Sequence, residues 1–213
     1  VNGAMKQALK EHLIKENVNE AVELPKKEKK EIPVMTVDEM KALLEMFKGS
    51  SYYALFLLEM QTGLRKGEIL GLHWGDIDFE NGKLYVRHNL CRITGEDGKA
   101  KLVLMEPKTM TSKRSIPLTA GMLEILKKHK AEQDADIVRI GETYHEQGIV
   151  FSDAFGEYIS PRKLLQVFQD TLKKAGLPRY RFHDLRHSFA SILLQEGESV
   201  KVIQELLGHS MIS

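Results

Sequence analysis

Apolar residues recur at helical spacing along most of the chain. Thr36 and Glu39 form the pair that is typical of a capping box, and a helix is predicted directly after them, over residues 40–47. The segment 52–61 is apolar on nearly every face, which indicates a buried helix that Thr62-Gly63 ends. Further helices are predicted at 4–14, from about 65, and at 119–130, 161–175, 184–196 and 199–207.

The period changes from helical to alternating in the middle of the chain. Asn81-Gly82 is a strong turn signal, and Pro117 suits an edge strand. Strand-like alternation occurs in three short runs, which contain Leu84 and Val86, Leu102 and Leu104, and residues 115–118. The pattern therefore predicts an α+β fold, a mainly helical domain with a small three-stranded antiparallel sheet inserted after its third helix.

The organisation of the chain follows from a break between residues 21 and 35. This segment carries two prolines and the lysines Lys26, Lys27, Lys29 and Lys30, which is typical of an extended linker. Residues 1–20 are too few for a domain of their own, and a compact domain is predicted over 36–213. The sequence opens at Val1 rather than at methionine, so we expect it to be part of a longer protein.

Composition narrows the class of protein. Apolar residues make up 42% and charged residues 29%, which favours a folded core. No apolar run is long enough for a membrane span, and the lone Cys91 cannot form an internal disulfide, so a cytoplasmic protein is expected. Lys and Arg number 31 against 30 Asp and Glu, so binding to nucleic acid would require segregated charge. Basic residues do predominate over 161–187, and acidic residues over 132–157.

Three short motifs carry the candidate chemistry. In TGLRKGE, Arg65 follows a glycine break at a predicted helix start, where it can hold a phosphate, and Glu68 can orient it. In RFHDLRHS, His183 and Arg186 project to one side of a helix and can donate hydrogen bonds to an anion. In LLGH, His209 follows a helix end. Taken singly, each motif also fits a surface ion pair or a helix cap.

Together, in this order, the motifs resemble those of the tyrosine recombinase family. That family carries an arginine in a TGxRxxE context, a later HxxR and an LGH near its C-terminus. A fourth element agrees, since the run PKTMTSKRSIPL resembles the family's lysine-bearing hairpin, PKTxxSxRxIPL. The family's lysine would be Lys108, with Lys113 as the alternative on the same hairpin. The resemblance covers residues 36–209 and implies an integrase of the phage or conjugative-transposon type.

The resemblance implies DNA strand cleavage and rejoining through a 3′-phosphotyrosine intermediate. Arg65 and Arg186 would clamp the phosphate, His183 and His209 would donate hydrogen bonds, and Lys108 would act as the general acid. The partner would be double-stranded DNA at an attachment or recombination site, and the full-length enzyme would assemble as a tetramer. No metal or other cofactor and no ATP is expected. Arg181 and the linker lysines are expected to contact DNA.

The resemblance also implies that the nucleophile is absent. The family's tyrosine follows the LGH histidine by two to three helical turns, whereas only four residues follow His209 and all tyrosines precede His183. Residues 1–20 would be the tail of the family's N-terminal DNA-binding domain. We therefore expect a catalytic domain truncated before its tyrosine, which binds DNA without cleaving it.

Two other functions remain open at this point. His183 and His187 have the i, i+4 spacing of a zinc-hydrolase motif, with Asp184 at the glutamate position and His209 as a possible third ligand. A chain derived from an integrase could also be a non-catalytic DNA-binding module.

Overall fold

The computed structural model describes residues 2–20, 22, 33–95, 98–106 and 113–208. The chain divides into two compact units, Val1–Glu31 and Ile32–Ser213. In the first unit, the described residues form helix α1, Asn2–Lys10, and a 3-10 turn at Val18–Glu20. None of the helices in the described part of the chain has the length and apolar character that a bilayer crossing needs.

The second unit is mainly helical, as predicted. Its helices are α2 Val37–Phe47, α3 Tyr53–Thr62, α4 Lys66–Leu70, α5 Ala120–Ile140, α6 Pro161–Lys174, α7 Phe182–Gln195 and α8 Val200–Leu207. Its strands are β1 Ile77–Asp78, β2 Lys83–Val86, β3 Asn89–Thr94, β4 Ala100–Met105 and β5 Arg114–Pro117. Helix α5 extends to Ile140, beyond the predicted end at 130. The apolar pattern did not reveal this extension, because the last turns of the helix bury no apolar face.

Local signals in the sequence account for several helix ends. Thr36 and Glu39 form the predicted capping box before α2. Gly63 ends α3 with φ 59°, and Gly208 ends α8 with φ 65°, both in the left-handed region that favours glycine. Because Gly63 turns the chain sharply, the next helix, α4, begins only three residues later, with Arg65 as its N-cap residue.

The strands form two separate antiparallel sheets. The three-stranded sheet has the order β1-β2-β5, with Leu84 opposite Ile116, and β5 is an edge strand as Pro117 suggested. The strand that contains Leu102 and Leu104 does not belong to it, contrary to the prediction. That strand, β4, pairs with β3 in a hairpin, with Leu90 opposite Leu104. Alternation identifies a strand but not its neighbour, and both edges of β2 are already taken by β1 and β5.

The core is built around α3. Leu55, Phe56 and Leu58 are fully buried, and the Phe56 ring stacks on Phe47 at 4.1 Å and on Phe168 at 5.7 Å between centroids. Helix α3 therefore buries apolar side chains on nearly all faces, as its sequence predicted. Helix α7 packs against it, which places the second motif beside the end of α3.

Two glycines, Gly67 in α4 and Gly71 directly after it, allow the β3–β4 hairpin to pack closely on this helix. A Cβ atom on Gly67 would lie 2.1 Å from Asn89 Oδ1 and 2.8 Å from the Leu90 carbonyl oxygen. A Cβ atom on Gly71 would lie 3.1 Å from the Leu90 backbone nitrogen. The start of β3 thus packs directly on the α4 backbone, where no side chain fits.

We expect Gly67→Ala to destabilise the protein, because the added methyl group must push the backbone of β3 away from α4. The expected loss is about 1–3 kcal/mol in the free energy of unfolding, measured by urea denaturation. Gly121→Ala is the matched control, since a Cβ at this α5 position meets nothing within 4 Å. That control should be neutral or stabilising. Equal stabilities for the two variants would contradict the close packing of β3 on α4.

Candidate active site

Arg65 is held by Glu68 at the start of α4. The Arg65 backbone N–H donates to Glu68 Oε2 at 2.7 Å, and its Nη1 donates to Glu68 Oε1 at 2.8 Å. The Arg65 side chain remains 38% exposed, whereas that of Glu68 is 5% exposed. The buried carboxylate of Glu68 therefore orients the guanidinium group of Arg65, which remains partly exposed to solvent. The sequence motif predicted this pairing.

Arg186 is buried where the ends of α3 and α8 meet. Only 2% of the residue is exposed, and its Nη1 donates to the Gly63 carbonyl oxygen at 2.6 Å. Its Nη2 donates to the Leu207 carbonyl oxygen. Carbonyl groups at a helix C-terminus carry partial negative charge and lack partners within the helix, so a buried cation suits them.

The two arginines meet at the end of α8. Arg65 Nη2 donates to the Gly208 carbonyl oxygen at 3.1 Å, next to the Leu207 carbonyl that binds Arg186. Two guanidinium groups that lie far apart in the sequence thus contact consecutive peptide units. The structure therefore brings together the first two motifs and the helix that leads into the third.

Arg114 is a third arginine of this cluster, and sequence analysis missed it. It begins β5, and its Nη1 and Nη2 donate to the two oxygens of Glu68 at 3.0 and 2.9 Å. Its Nε donates to the Leu206 carbonyl oxygen at 2.6 Å. Arg114 lies in the same PKTMTSKRSIPL run that drew attention to the lysines. Arg114 lies two residues before the buried Ile116, so both side chains lie on the same face of the strand. This spacing was the available signal for its position.

The cluster carries more positive than negative charge. Burial raises the pKa of Glu68, but its hydrogen bonds with Arg114 and the charges of Arg114 and Arg65 outweigh this and hold the pKa below its ordinary value. Burial, followed by the positive charge of Arg65, lowers the pKa of Arg186 to about 10. Glu68 is thus ionised and Arg186 protonated at neutral pH, and the site can attract an anion.

His183 lies at the start of α7, exposed, with its ring 4.8 Å from that of His187. Partial desolvation and the positive charges of His187 and Arg186 lower the pKa of His183. Desolvation also lowers the pKa of His187. A neutral imidazole can both donate and accept a hydrogen bond, so His183 can serve a phosphate oxygen near pH 7.

The carboxylate of Asp184 accepts hydrogen bonds from Arg181. It is buried, and Arg181 Nη2 donates to its Oδ1 at 2.7 Å while the Arg181 backbone N–H donates to Oδ2 at 2.7 Å. Both oxygens of Asp184 are thus occupied by hydrogen bonds that cap α7, which weighs against the base role that the zinc-hydrolase alternative gives this residue. The side chain of Arg181 is 70% exposed.

Several predicted site residues lie outside the described residues: Lys26, Lys27, Lys29, Lys30, Lys108 and His209. The described hairpin strand β4 ends at Met105, and β5 begins at Arg114. Lys113, the alternative to Lys108, donates from Nζ to Glu106 Oε2 at 3.0 Å in an exposed ion pair.

A family model supplies the deciding comparison. The model of the phage integrase family matches residues 33–213. The chain belongs to the phage integrase family. This match covers the whole of the second unit apart from its first residue, and the family holds the tyrosine recombinases that the motifs resemble.

Curated relatives agree with this assignment. The integrase-family chain is 39% identical over 190 residues to a tyrosine recombinase XerC-like protein of Caldanaerobacter subterraneus, a match that covers 86% of the chain and 49% of that relative. It is 28% identical over 220 residues to an integrase of Streptomyces ambofaciens, covering 99% of the chain and 55% of the relative. The chain thus spans about half the length of these relatives.

Solved structures show the same fold. The Tn1549 transposon integrase, in complex with a circular intermediate DNA, superposes with a TM-score of 0.76 at 22% identity, covering 99% of this chain and 69% of the other. A lambda integrase tetramer bound to a Holliday junction gives a TM-score of 0.63 at 23% identity, covering 99% of this chain and 56% of the other. The integrase-family chain therefore has the tyrosine recombinase catalytic fold.

Glu59 is an unusual neighbour of the arginine cluster in this integrase-family chain. It lies in α3, one turn before Gly63, and its carboxylate oxygens are buried without a hydrogen-bond partner among the described residues. Burial raises the pKa of Glu59 well above its ordinary value, and the positive charge of Arg186 opposes this only in part. A buried carboxyl group without a partner costs stability when it ionises.

We expect ionisation of Glu59 to destabilise the folded chain as pH rises. The unfolded chain releases this proton at a lower pH than the folded chain, so stability falls from about pH 4.3 upwards until the folded pKa is passed. Glu59→Gln removes the ionisation. The variant should therefore gain stability relative to the original chain between roughly pH 5 and pH 8, measured by urea unfolding at each pH.

Glu124→Gln is the control, because Glu124 is exposed on α5, with a side-chain exposure of 70%. It repeats the change from carboxylate to amide at an exposed position. A Glu59→Gln stability difference that varies with pH no more than that of this control would contradict the cost of burying this carboxylate.

Proposed function

We propose that this chain is the catalytic domain of a site-specific DNA recombinase that cuts and rejoins strands through a 3′-phosphotyrosine link. The observation that carries the proposal is the convergence of Arg65 and Arg186 at the end of α8, with Glu68 beneath Arg65. Arg65 is oriented and partly exposed, and Arg186 is buried close to it. Two such guanidinium groups suit a phosphodiester that gains negative charge in its transition state.

The residues take separate roles in the proposed reaction. Arg65 donates to a nonbridging phosphate oxygen, and His183 donates to the same phosphate from the start of α7. Arg186 uses one N–H of each terminal nitrogen on backbone carbonyls and acts mainly as a buried positive charge. Arg114 does not touch the phosphate in this proposal. It positions Glu68, and through Glu68 it positions Arg65.

The proposed step exchanges one phosphate ester for another. A tyrosine hydroxyl releases its proton to water as its oxygen forms a bond to phosphorus, the bond from phosphorus to the 5′-oxygen breaks, and Lys108 supplies the proton that the departing oxygen needs. His209 would donate a further hydrogen bond to the phosphate. The number of ester bonds is unchanged, so the reaction needs no ATP, and the arginines supply the positive charge without a divalent ion.

We further propose that these 213 residues bind DNA without cleaving it. The tyrosines of the sequence are Tyr52, Tyr53, Tyr85, Tyr144, Tyr158 and Tyr180. Tyr180, the tyrosine nearest to the second motif in the sequence, is 6% exposed, and its hydroxyl donates to Glu39 Oε1 at 3.0 Å. None of the six occupies the position that the family's nucleophile takes after His209.

The partner in this proposal is double-stranded DNA, and assembly of the full-length protein is tetrameric. Support comes from the solved relatives, since the Tn1549 integrase is described in complex with DNA and lambda integrase as a tetramer on a Holliday junction. Arg181, exposed beside His183, and the linker lysines would contact the DNA backbone.

Binding to a duplex tests the phosphate site. We expect Arg65→Ala to lower affinity for a 30-base-pair duplex about fivefold to tenfold at low salt, and to reduce the salt slope by about one, because one phosphate contact is lost. Arg139→Ala is the control, since Arg139 is 72% exposed on α5 and paired with Asp136. Fluorescence anisotropy at several salt concentrations gives both quantities. An Arg65→Ala variant that binds like the control would contradict the site.

A nicked duplex that traps covalent protein–DNA intermediates distinguishes a recombinase from a non-catalytic binding module. The 213-residue chain should form no covalent adduct. A longer chain that continues through the next codons of its gene should form one, and Arg186→Lys should reduce it. Failure of the longer chain, with DNA binding retained, would favour a non-catalytic DNA-binding module.

A further inference from the structure

His73, Asp76 and His88 form a cluster of potential metal ligands that the proposed phosphate chemistry does not use. One ring nitrogen of each histidine and one carboxylate oxygen of Asp76 all lie within 4.8 Å of one another. His73 is the N-cap residue of a 3-10 turn at Trp74–Asp76, Asp76 is the last residue of that turn, and His88 lies between β2 and β3. The cluster thus joins the segment after α4 to the base of the β3–β4 hairpin.

The donor atoms of this cluster suit zinc. Two imidazoles and a carboxylate are ligands that Zn²⁺ takes in proteins, usually with a water molecule in the fourth position when only three side chains bind. Asp76 is 3% exposed. Its Oδ2 accepts from the His73 backbone N–H at 3.1 Å and lies 3.3 Å from His88 Nδ1. A buried carboxylate in this position favours a nearby cation.

Arg87 is the cation that faces Asp76, and the contact is weak. Its Nη1 lies 3.4 Å from Asp76 Oδ1 and donates more closely to the Gly75 carbonyl oxygen, at 2.9 Å. The side chain is 52% exposed and lies over the Tyr85 ring, so it can move into solvent. At present the half-exposed Arg87 guanidinium provides one positive charge near Asp76. A divalent ion at the cluster would provide a charge of +2 and would bind the carboxylate directly.

The His73 ring is held as a metal ligand is usually held. Its Nδ1 lies 3.0 Å from the Gly71 carbonyl oxygen, and its Nε2 lies 3.2 Å from the Tyr158 hydroxyl. In metal sites, the nitrogen that does not bind the metal usually keeps such a hydrogen bond, which fixes the ring orientation. A metal on His73 would displace one of these two partners, and the other ring nitrogen would keep its own.

We propose that His73, Asp76 and His88 bind Zn²⁺, with water as the fourth ligand. In a tetrahedral site with bonds of about 2.0–2.1 Å, ligand atoms lie about 3.4 Å apart. The present separations of up to 4.8 Å must therefore shorten. His88 can provide this movement, because its side chain is 32% exposed and stands outside the paired strands.

Zinc in this position would fix the hairpin to the helical core. His88 immediately precedes β3, which packs on Gly67 and Gly71, and β4 ends three residues before Lys108 in the sequence. The ion would stabilise the β3–β4 hairpin, and it would take no part in the exchange of phosphate esters. Zinc binding is therefore expected whether or not the chain has recombinase activity.

Titration of metal-free protein with Zn²⁺ alone tests the site. Isothermal calorimetry should show one equivalent bound, and His73→Gln and His88→Gln should each weaken binding at least tenfold. Zinc at about a hundredfold excess over its dissociation constant should raise the melting temperature of the original chain by roughly 5–10 °C. At the same zinc concentration, each variant should show about half of that rise or less. Absence of zinc binding by the original chain would overturn the proposal.

Two further histidine variants locate the bound ion. His145→Gln alters another histidine–carboxylate pair, His145 with Glu157 at 2.6 Å, and His187→Gln alters the pair on α7. Both variants should keep the original zinc affinity, and loss of binding in either would place the ion elsewhere. X-ray absorption of the zinc-loaded original chain should show two imidazole ligands in a nitrogen and oxygen shell. A shell without imidazole would contradict the assignment, even where a variant fails to fold.

Discussion

The site depends on one buried carboxylate, that of Glu68. Both of its oxygens accept hydrogen bonds from Arg114, and one of them also accepts from the Arg65 side chain. These two arginines in turn donate to carbonyl oxygens at the end of α8, as does Arg186. Through Glu68, the beginning of α4, the edge strand β5 and the end of α8 become one electrostatic unit.

Three guanidinium groups in so small a volume repel one another, and the burial that holds them also removes their hydration. Glu68 offsets this repulsion for Arg65 and Arg114, and the helix-end carbonyls offset it for Arg186. The positive charge that remains is unevenly exposed. Arg186 and Arg114 are buried, whereas Arg65 faces solvent, so the cluster presents its charge to an anion through one oriented side chain.

The sequence predicted the parts of this arrangement that depend on local spacing. Apolar periodicity located the helices, and the pairing of Arg65 with Glu68 follows from their separation by one helical turn. The role of Arg114 could not be derived in this way, because its partners are distant in sequence and depend on which strand pairs with β2. The burial of Glu59 was likewise hidden, since a charged residue in an apolar helix is expected to face solvent. These features depend on tertiary packing.

A double-mutant cycle on Glu68 and Arg114 measures the central interaction most directly. The free energy of unfolding would be determined for the original chain, Glu68→Met, Arg114→Met and the double variant. Each single change should cost about 3–5 kcal/mol, because Glu68→Met leaves the buried Arg114 without its carboxylate and Arg114→Met leaves the buried Glu68 with one of its two arginines, Arg65. The double variant should cost little more than either, which gives a coupling energy of about 2 kcal/mol or more. Single costs that simply add would contradict the account.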